Sequence, residues 1–396
     1  MVKKRTRGVR GLLGIAVVGA LATGLVACGD DEESGGESGP IKIGVAADLT
    51  GAFALYGTSM LHSAQLAVDE VNAAGGVLGR QIELVVEDTA TDVAVTTDKS
   101  RKLVESDKVS MVLGPIGSDA ADAMFKTVVQ DGKTMLIYPE TYEGGKCDNL
   151  FFSTGAVPAQ QIRPMLPVLQ EEFGPKVLLF GADYVWPRRS FEAAKPIIEE
   201  IGGELVGEVY LPLIAEDFTE LVNAVRDTQP DYIYTLYPAV WGAALKALED
   251  AGVLEGVGVG TTFLGDPGLE GLSEGAVGSY TALPYFTVAE GDGAAAFLEA
   301  FQAKFPGEIP SGGEGLGSYN AIKLYAAAVE KAGTTDPAKV AAAMRGTSYE
   351  SPTGTVTVES SNHVTQTIQL ARVGADMKYE FVQAFENQPS EEACSL

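Results

Sequence analysis

The residues best suited to chemistry follow short apolar runs, and the first group of them is rich in glycine. Residues 114–120 read Gly-Pro-Ile-Gly-Ser-Asp-Ala and come directly after an apolar run that ends at Leu113. Glycine lets backbone amides approach a ligand, and Ser118 stands where the next helix is expected to begin. Free amides at a helix start favour a carboxylate or carbonyl oxygen. The alternative is that Ser118 only caps its helix, because capping and ligand binding use similar geometry.

A second loop brings tyrosines and carboxylates to one strand end. Residues 138–144 read Tyr-Pro-Glu-Thr-Tyr-Glu-Gly. The Tyr138 ring offers an apolar wall and a hydroxyl, and Glu140 could accept hydrogen bonds from an ammonium or an amide NH2 group. A bound positive group would favour the ionised form of Glu140. The alternative is a solvated loop carboxylate, since exposed glutamate is common.

Aromatic residues also end the strands predicted further along the chain. Tyr184 lies in Asp-Tyr-Val-Trp-Pro at 183–187, and Tyr237 lies in Tyr-Thr-Leu-Tyr-Pro at 234–238. Asp266, in Gly-Asp-Pro-Gly, adds a carboxylate after the last strand of this series, although a turn role would explain it equally. These residues predict a second half-site facing the first.

The pattern that must position these residues alternates short apolar runs with amphipathic stretches. Four predicted strands form a first series, at 41–46, 82–87, 109–113 and 134–138, and four form a second, at 177–181, 204–210, 232–236 and 258–263. Strands that alternate with helices indicate parallel sheets covered on both faces. Ligands of such sheets gather beyond the carboxyl ends of the strands. The fold class predicted is α/β, with two doubly wound parallel-sheet lobes.

Later segments predict helices at 292–305, 314–332 and 336–345, then strands at 355–359, 365–373 and 379–385. This stretch is too short for a third domain, so we expect the chain to return and complete the lobes. Proline stiffens extended segments at Val157-Pro158, Leu283-Pro284 and Ser351-Pro352, which are the predicted crossings of a three-crossing hinge. The prediction is lobe 1 at 41–157 plus 284–352, lobe 2 at 158–283 plus 353–386, and a tail at 387–396.

Several segments have the pattern of a known family. Ile-Lys-Ile-Gly-Val at 41–45, with Leu-Thr-Gly at 49–51 and Tyr-Gly at 56–57, looks like its first strand and loop, and residues 72–80 look like its first helix end. Over residues 41–386 the chain resembles the type I periplasmic-type binding proteins of ABC importers, in the branch that takes branched-chain amino acids, urea and short amides. The loops at 138–144 and 183–188 are more similar to the urea and amide members.

The resemblance implies that a small polar solute lies between the lobes and that permease and ATPase subunits are separate chains. The matching positions are Ser118, Tyr138 and Glu140 on lobe 1, with Tyr184, Tyr237 and Asp266 facing them. Glu140 departs from the uncharged residue expected in the amide branch, which leaves room for a cationic or zwitterionic ligand. A ligand sensor of the same fold, without transport, is the alternative role.

Catalysis finds little support in the sequence. Gly-Leu-Ser-Glu-Gly at 271–275 spells a nucleophile-elbow pattern, with His363 downstream, but the preceding residues 266–270 do not read as a buried strand. His62 and His363 are the two histidines of the chain, and no closely spaced His and Cys set suggests zinc. No phosphate-loop or dinucleotide fingerprint is present, so no cofactor or metal is expected. An envelope hydrolase is a distant alternative.

The first forty residues predict the cellular address. A basic run precedes an apolar stretch that closes on Leu-Val-Ala before Cys28, as in a lipoprotein signal peptide at 1–27. Residues 28–40 are polar and predict a disordered tether. Acylated Cys28 would hold the chain at the outer face of the cytoplasmic membrane, through its lipid anchor only. The net charge of −26 argues against nucleic acid as a partner.

Cys147 and Cys394 are the two cysteines that remain once Cys28 is lipidated. Disulfides persist outside the cytoplasm, so a bridge between them is possible. It would pin the C-terminal tail beside the 138–144 loop. Two free thiols are the alternative.

Overall fold

A computed structural model describes residues 39–394 and 396, and its first sheet has five strands in the order β2-β1-β3-β4-β5. All four pairings are parallel. The strands are β1 (Ile41–Ala47), β2 (Ile82–Asp88), β3 (Met111–Leu113), β4 (Met135–Tyr138) and β5 (Phe151–Ser153). Every residue of β3 and β4 is buried, as expected where helices cover both faces.

Six helices flank this sheet. They are α1 (Ala54–Ala73), α2 (Val93–Glu105), α3 (Ser118–Met124, continued as a π-helical segment at Phe125–Asp131), α8 (Asp292–Lys304), α9 (Glu314–Ala332) and α10 (Pro337–Met344). Side-chain caps fix two of their starts, because Asp92 accepts a hydrogen bond from Val95 N and Asp336 from Lys339 N. The apolar side chains between the sheet and α1, α8, α9 and α10, among them Ile43, Leu113 and Ile322, are called the first core.

The second sheet has nine strands. Its path is β11-β12-β13-β10-β9-β8-β6-β7, and β14 pairs with β13. The strands are β6 (Lys176–Ala182), β7 (Glu204–Leu211), β8 (Tyr232–Leu236), β9 (Gly258–Thr261), β10 (Tyr280–Leu283), β11 (Ser348–Ser351), β12 (Gly354–Val358), β13 (Val364–Val373) and β14 (Tyr379–Gln388). The pairings from β7 to β10 are parallel, and those that involve β11 to β14 are antiparallel.

Four helices cover the parallel part of the second sheet: α4 (Pro158–Phe173), α5 (Val185–Glu200), α6 (Thr219–Thr228) and α7 (Trp241–Asp250). Their apolar faces, with Leu178, Ile233 and Leu370 of the strands, form the second core. The predicted α/β class with two parallel-sheet lobes is confirmed. The apolar runs predicted most strands, but β5, β10 and β11 were not predicted.

Phe152 packs in the first core and Ala156 in the second, and after Leu283 of the second core Tyr285 packs in the first again. The crossing predicted at Ser351-Pro352 is wrong, because this proline lies in the turn of an antiparallel hairpin that pairs Ser351 with Gly354. The third passage lies within β13, where Val364 packs in the first core and Ile368 in the second. Proline occurs both in turns and in extended crossing segments, so its presence at 352 did not distinguish the two. The other lobe boundaries stay predictions.

The structure gives Ser273 no nucleophile-elbow geometry. Two short 3-10 turns, Asp266–Leu269 and Glu274–Ala276, flank it, where an elbow requires a strand before the serine. His62 lies on α1, stacks on Phe305 and contacts Glu308 Oε2 at 2.6 Å. His363 is buried against the Tyr142 hydroxyl.

A disulfide joins Cys147 to Cys394, with a Cα–Cα distance of 5.5 Å. Gly145 N also donates to Glu392 Oε2 at 2.7 Å, so two contacts hold the tail against the segment that follows Tyr142. The signal peptide, Cys28 and most of the predicted tether lie outside the described residues. Within residues 39–394, no helix combines the length and hydropathy that crossing a bilayer needs. No group of three His, Cys, Asp or Glu in that range could hold a metal ion.

Candidate functional site

A cavity lies where the loops after the strands of the two sheets meet. Its volume is about 30 Å³, well below the ~300–1,000 Å³ usual for small-molecule sites, so its own side chains nearly fill it in this structure. Both sheets contribute to its wall. The lining residues are Phe53, Tyr56, Ile116, Gly117, Ser118, Glu140, Thr141, Tyr184, Trp186, Pro238, Phe263, Leu283, Gly313 and Glu314.

Five aromatic rings form a continuous wall of this cavity. Tyr56, Phe53, Tyr184, Trp186 and Phe263 contact one another in that order, and each successive pair of ring centroids is 6.4 Å apart. The Phe53–Tyr184 contact joins the start of α1 to the loop after β6. The aromatic wall therefore runs from one lobe to the other.

Glu140 follows β4 and enters the cavity with half of its carboxylate unpaired. Its Oε1 accepts a hydrogen bond from Thr141 N at 2.7 Å. Its Oε2 is buried and has no hydrogen-bond partner among the described residues. Burial raises the pKa of Glu140 well above its usual range, and the charges of Glu314 and Asp48 act in the same direction. The alternative of a solvated loop carboxylate is not what the structure shows.

Glu314 supplies a second buried carboxyl group from the first turn of α9. Its side chain is buried, and its Oε1 lacks a hydrogen-bond partner within the described chain. Burial raises the pKa of Glu314 to about 7, against a hydrogen bond from Ser311 that lowers it. The sequence analysis missed this residue. The sequence signal for this residue is the set of glycines around it, at 312, 313 and 315. Gly312 is required by close packing, because a Cβ there would lie 1.9 Å from Tyr285 O.

Ser118 lines the cavity but does not cap its helix. Gly117 holds the N-cap position of α3, and the Ser118 hydroxyl donates to Glu143 Oε2 at 2.7 Å. Lys146 Nζ donates to the other oxygen of Glu143 at 3.2 Å. Arg189, from α5 of the second sheet, lies 3.7 Å from the same oxygen. Since its proton is directed at Glu143, Ser118 presents lone pairs to the cavity.

The structure brings three of the six predicted ligand residues into the cavity wall, namely Ser118, Glu140 and Tyr184. The other three side chains point to protein partners. Tyr138 donates to Ile116 O at 2.7 Å, and Tyr237 donates to Pro212 O. Asp266 accepts hydrogen bonds from Thr287 and borders a separate, more open groove.

Comparison with known proteins identifies the fold and the family. The family model described as "Periplasmic binding protein" matches residues 40–378. The chain belongs to the periplasmic binding protein family. This confirms the resemblance drawn from the sequence. The cavity described above, between two lobes and lined by strand-end loops, thus belongs to a periplasmic binding protein.

Curated members of the family are similar over most of their length. The leucine-, isoleucine-, valine-, threonine- and alanine-binding protein of Pseudomonas aeruginosa is 28% identical over 323 residues, which are 79% of this chain and 84% of that protein. The Leu/Ile/Val-binding protein BraC3 of Rhizobium johnstonii is 27% identical, over 82% of this chain and 89% of its own length.

Solved structures of periplasmic binding proteins superpose well on this one. The branched-chain amino acid transporter substrate-binding protein LivJ of Streptococcus pneumoniae, in complex with isoleucine, has a TM-score of 0.76 and 26% identity, covering 87% of this chain and 99% of that one. A solute-binding protein of an ABC transporter from R. palustris, in complex with benzoate, has a TM-score of 0.81 at 21% identity, covering 90% and 99%. At that identity the likeness concerns the fold.

Proposed function

We propose that this protein captures a small polar solute between its two lobes, outside the cytoplasm, and delivers it to an ABC permease. The solute carries N–H donors, as an amino acid, urea or a short amide does. The observation that carries the proposal is the unpaired Oε2 of Glu140 in a cavity walled by both lobes. A buried acceptor without a partner costs about 1–3 kcal/mol, and a ligand N–H would recover that energy.

The names of similar proteins support the class of solute. Two curated relatives carry branched-chain amino acids in their names, and the LivJ structure holds isoleucine. The aromatic wall would pack against the apolar part of such a ligand. Glu140 and Glu314 would take its nitrogen end, while Tyr138 and Asp266 have protein partners instead.

The membrane address is part of the proposal. Cys28 would carry the lipid that anchors the protein, with residues 29–40 as spacer. Mass spectrometry of protein extracted from the cell envelope tests this. A chain that retains Met1, or that has an unmodified Cys28, would contradict it.

A ligand panel tests solute capture. Ligands that bind the folded state raise its melting temperature, because stability increases by RT ln(1 + [L]/Kd). We expect a shift with at least one member of a panel of urea, short amides, aliphatic amino acids and small organic cations. Glu140→Gln should weaken the response, and Glu255→Gln, at an exposed position, should not. A panel without any shift would count against solute capture.

A further inference from the structure

An ion pair crosses from one lobe to the other. Arg189 belongs to α5 on the second sheet, and its guanidinium lies 3.7 Å from Glu143 Oε1 in the loop after β4 of the first sheet. The preceding arginine pairs within its own lobe, because Arg188 Nε lies 2.6 Å from Asp183 Oδ1. The two adjacent arginines therefore differ in whether their partner moves away when the lobes separate.

Glu143 connects this arginine to the cavity. Its side chain is 0% exposed. Its Oε2 accepts a hydrogen bond from the Ser118 hydroxyl at 2.7 Å, and its Oε1 accepts one from Lys146 Nζ at 3.2 Å. Ser118 lines the cavity. A single buried carboxylate thus joins a residue of the cavity wall, through one oxygen, to a cation of the opposite lobe, near the other.

The first lobe alone leaves this corner short of positive charge. Asp119 and Asp122 of α3 lie near Glu143, and Lys146 is placed 2.9 Å from Asp122. Partial burial raises the pKa of Asp119, and the charges of Asp122 and Glu143 raise it further, whereas those of Lys146 and Arg189 act against the rise. Three carboxylates therefore share one lysine from their own lobe, and Arg189 adds a second cation.

The tail brings one more carboxylate to the same corner. Glu392 accepts a hydrogen bond from Gly145 N at 2.7 Å and lines a surface pocket together with Glu143. The disulfide at Cys394 holds this part of the tail on the first lobe. These negative charges stay together when the lobes separate, but Arg189 leaves with the second lobe. A buried carboxylate that loses a cation loses free energy, so the charges favour closure.

We propose that Arg189 is a positioning residue that latches the closed form, and that through Glu143 it keeps the Ser118 hydroxyl turned so that its lone pairs face a bound solute. This inference rests on the proposed function and concerns how closure of the same site is stabilised. Arg189 is not among the described residues that line the cavity, so it acts without contact with the solute. The pair must break before the solute leaves, and its loss should raise the dissociation rate more than it changes the association rate.

Replacement of the arginine tests the latch. The probe is whichever of leucine, urea, acetamide and guanidinium binds the wild type most tightly. Arg189→Ala should lower the affinity for that probe about twofold to tenfold and raise its dissociation rate by about the same factor. Arg189→Lys should keep part of the effect. Arg188→Ala is the matched control and should change neither quantity, since its partner lies in its own lobe.

Ionic strength separates a latch from a packing role. The Arg189 side chain is 59% exposed, so added salt reaches the pair and screens it. Sodium chloride raised from about 50 mM to about 500 mM should increase the dissociation rate from the wild type and from Arg188→Ala, and should change that from Arg189→Ala much less. An equal response of all three proteins to salt would contradict the latch.

Two further outcomes distinguish the latch from solute capture itself. Equal affinity and equal dissociation rates for the wild type and Arg189→Ala would overturn the latch while solute capture stands. If no probe binds the wild type, the proposed function fails, and small-angle scattering of the ligand-free proteins decides on the latch. A larger radius of gyration for Arg189→Ala than for the wild type and Arg188→Ala would support it, and one radius for all three would overturn it.

Discussion

The rings of Phe53 and Tyr184 meet across the cavity with their centroids 6.4 Å apart, one at the start of α1 and the other directly before α5. No backbone hydrogen bond joins these two loops in the described chain. The contact therefore depends on the two lobes being held together, and a bound solute would add the atoms that hold them.

Removal of the Tyr184 ring should lower the affinity for ligand more than it lowers the stability of the fold. Tyr184→Ala removes contacts worth roughly 0.5–1.5 kcal/mol, about twofold to tenfold in affinity. Tyr184→Phe keeps the ring and is the control. Calorimetry with the tightest probe of the panel, and small-angle scattering for compaction, measure the two effects. Equal affinity of the Ala and Phe variants would contradict the contact's role.

The buried carboxylate of Glu143 should be a determinant of stability. Its side chain is fully buried and joins Ser118 to Lys146, which is itself buried. Glu143→Ala leaves Lys146 with Asp122 at 2.9 Å as its remaining anionic partner, and we expect a loss of about 2–3 kcal/mol in the free energy of unfolding. Urea denaturation measures it. Asp131→Ala, from the exposed pair with Lys126, is the control and should change stability by less than about 1 kcal/mol.

Stability of the ligand-free protein should carry a pH signature from Glu314. Its pKa in the folded state is about 7, above the ordinary 4.5. The folded state therefore binds the proton more tightly, and the resulting stability is complete below pH 4.5 and lost as pH rises through 7. The upper limit is on the order of 3 kcal/mol.

Glu140, Asp48 and Tyr56 also bear on this acidic cluster. The informative quantity is hence the difference between the wild type and Glu314→Gln. We expect that difference to fall across the range in chemical denaturation at pH 5, 6, 7 and 8. A constant difference would show that Glu314 does not titrate there.

Loss of the disulfide should lower stability. Cys147 and Cys394 are 247 residues apart, and in the chain-entropy model a bridge over so long a loop contributes up to ~5 kcal/mol, although measured values often fall short. Cys147→Ser with Cys394→Ser should lower the melting temperature. Reductant should lower that of the wild type and leave the double variant unchanged. Two reactive thiols in the denatured, unreduced wild type would contradict the bridge.

The sequence predicted the positions of the strands better than the directions of the side chains at the site. Apolar runs located β1, β6 and β8, because buried parallel strands are continuously apolar. The direction of a side chain at a strand end depends on pleat and on neighbouring loops. Tyr138 ends β4 and Tyr237 directly follows β8, yet both hydroxyl groups donate to backbone carbonyls of adjacent loops.

For Glu314 the sequence predicted the helix but not the residue's place in the cavity. The helix from Glu314 to Ala332 was predicted with the bounds that the structure has. Which of its residues faces the other lobe depends on how the chain returns after Leu283, and local periodicity holds no such information. A glutamate in the first helical turn is also ordinary, since it complements the helix dipole. Tertiary placement alone distinguishes it.

Strand β13 belongs to two cores at once. Its start pairs with β12 and packs Val364 in the first core, while its far end pairs with β10 beyond Ile368. Between them, the register with β14 shifts from Gln366 to Ile368. Such bulges concentrate twist in a short stretch of backbone. The strand is covalently continuous between the two cores. Any movement between the lobes therefore requires the backbone torsion angles of this short stretch to change, so that it acts as a pivot.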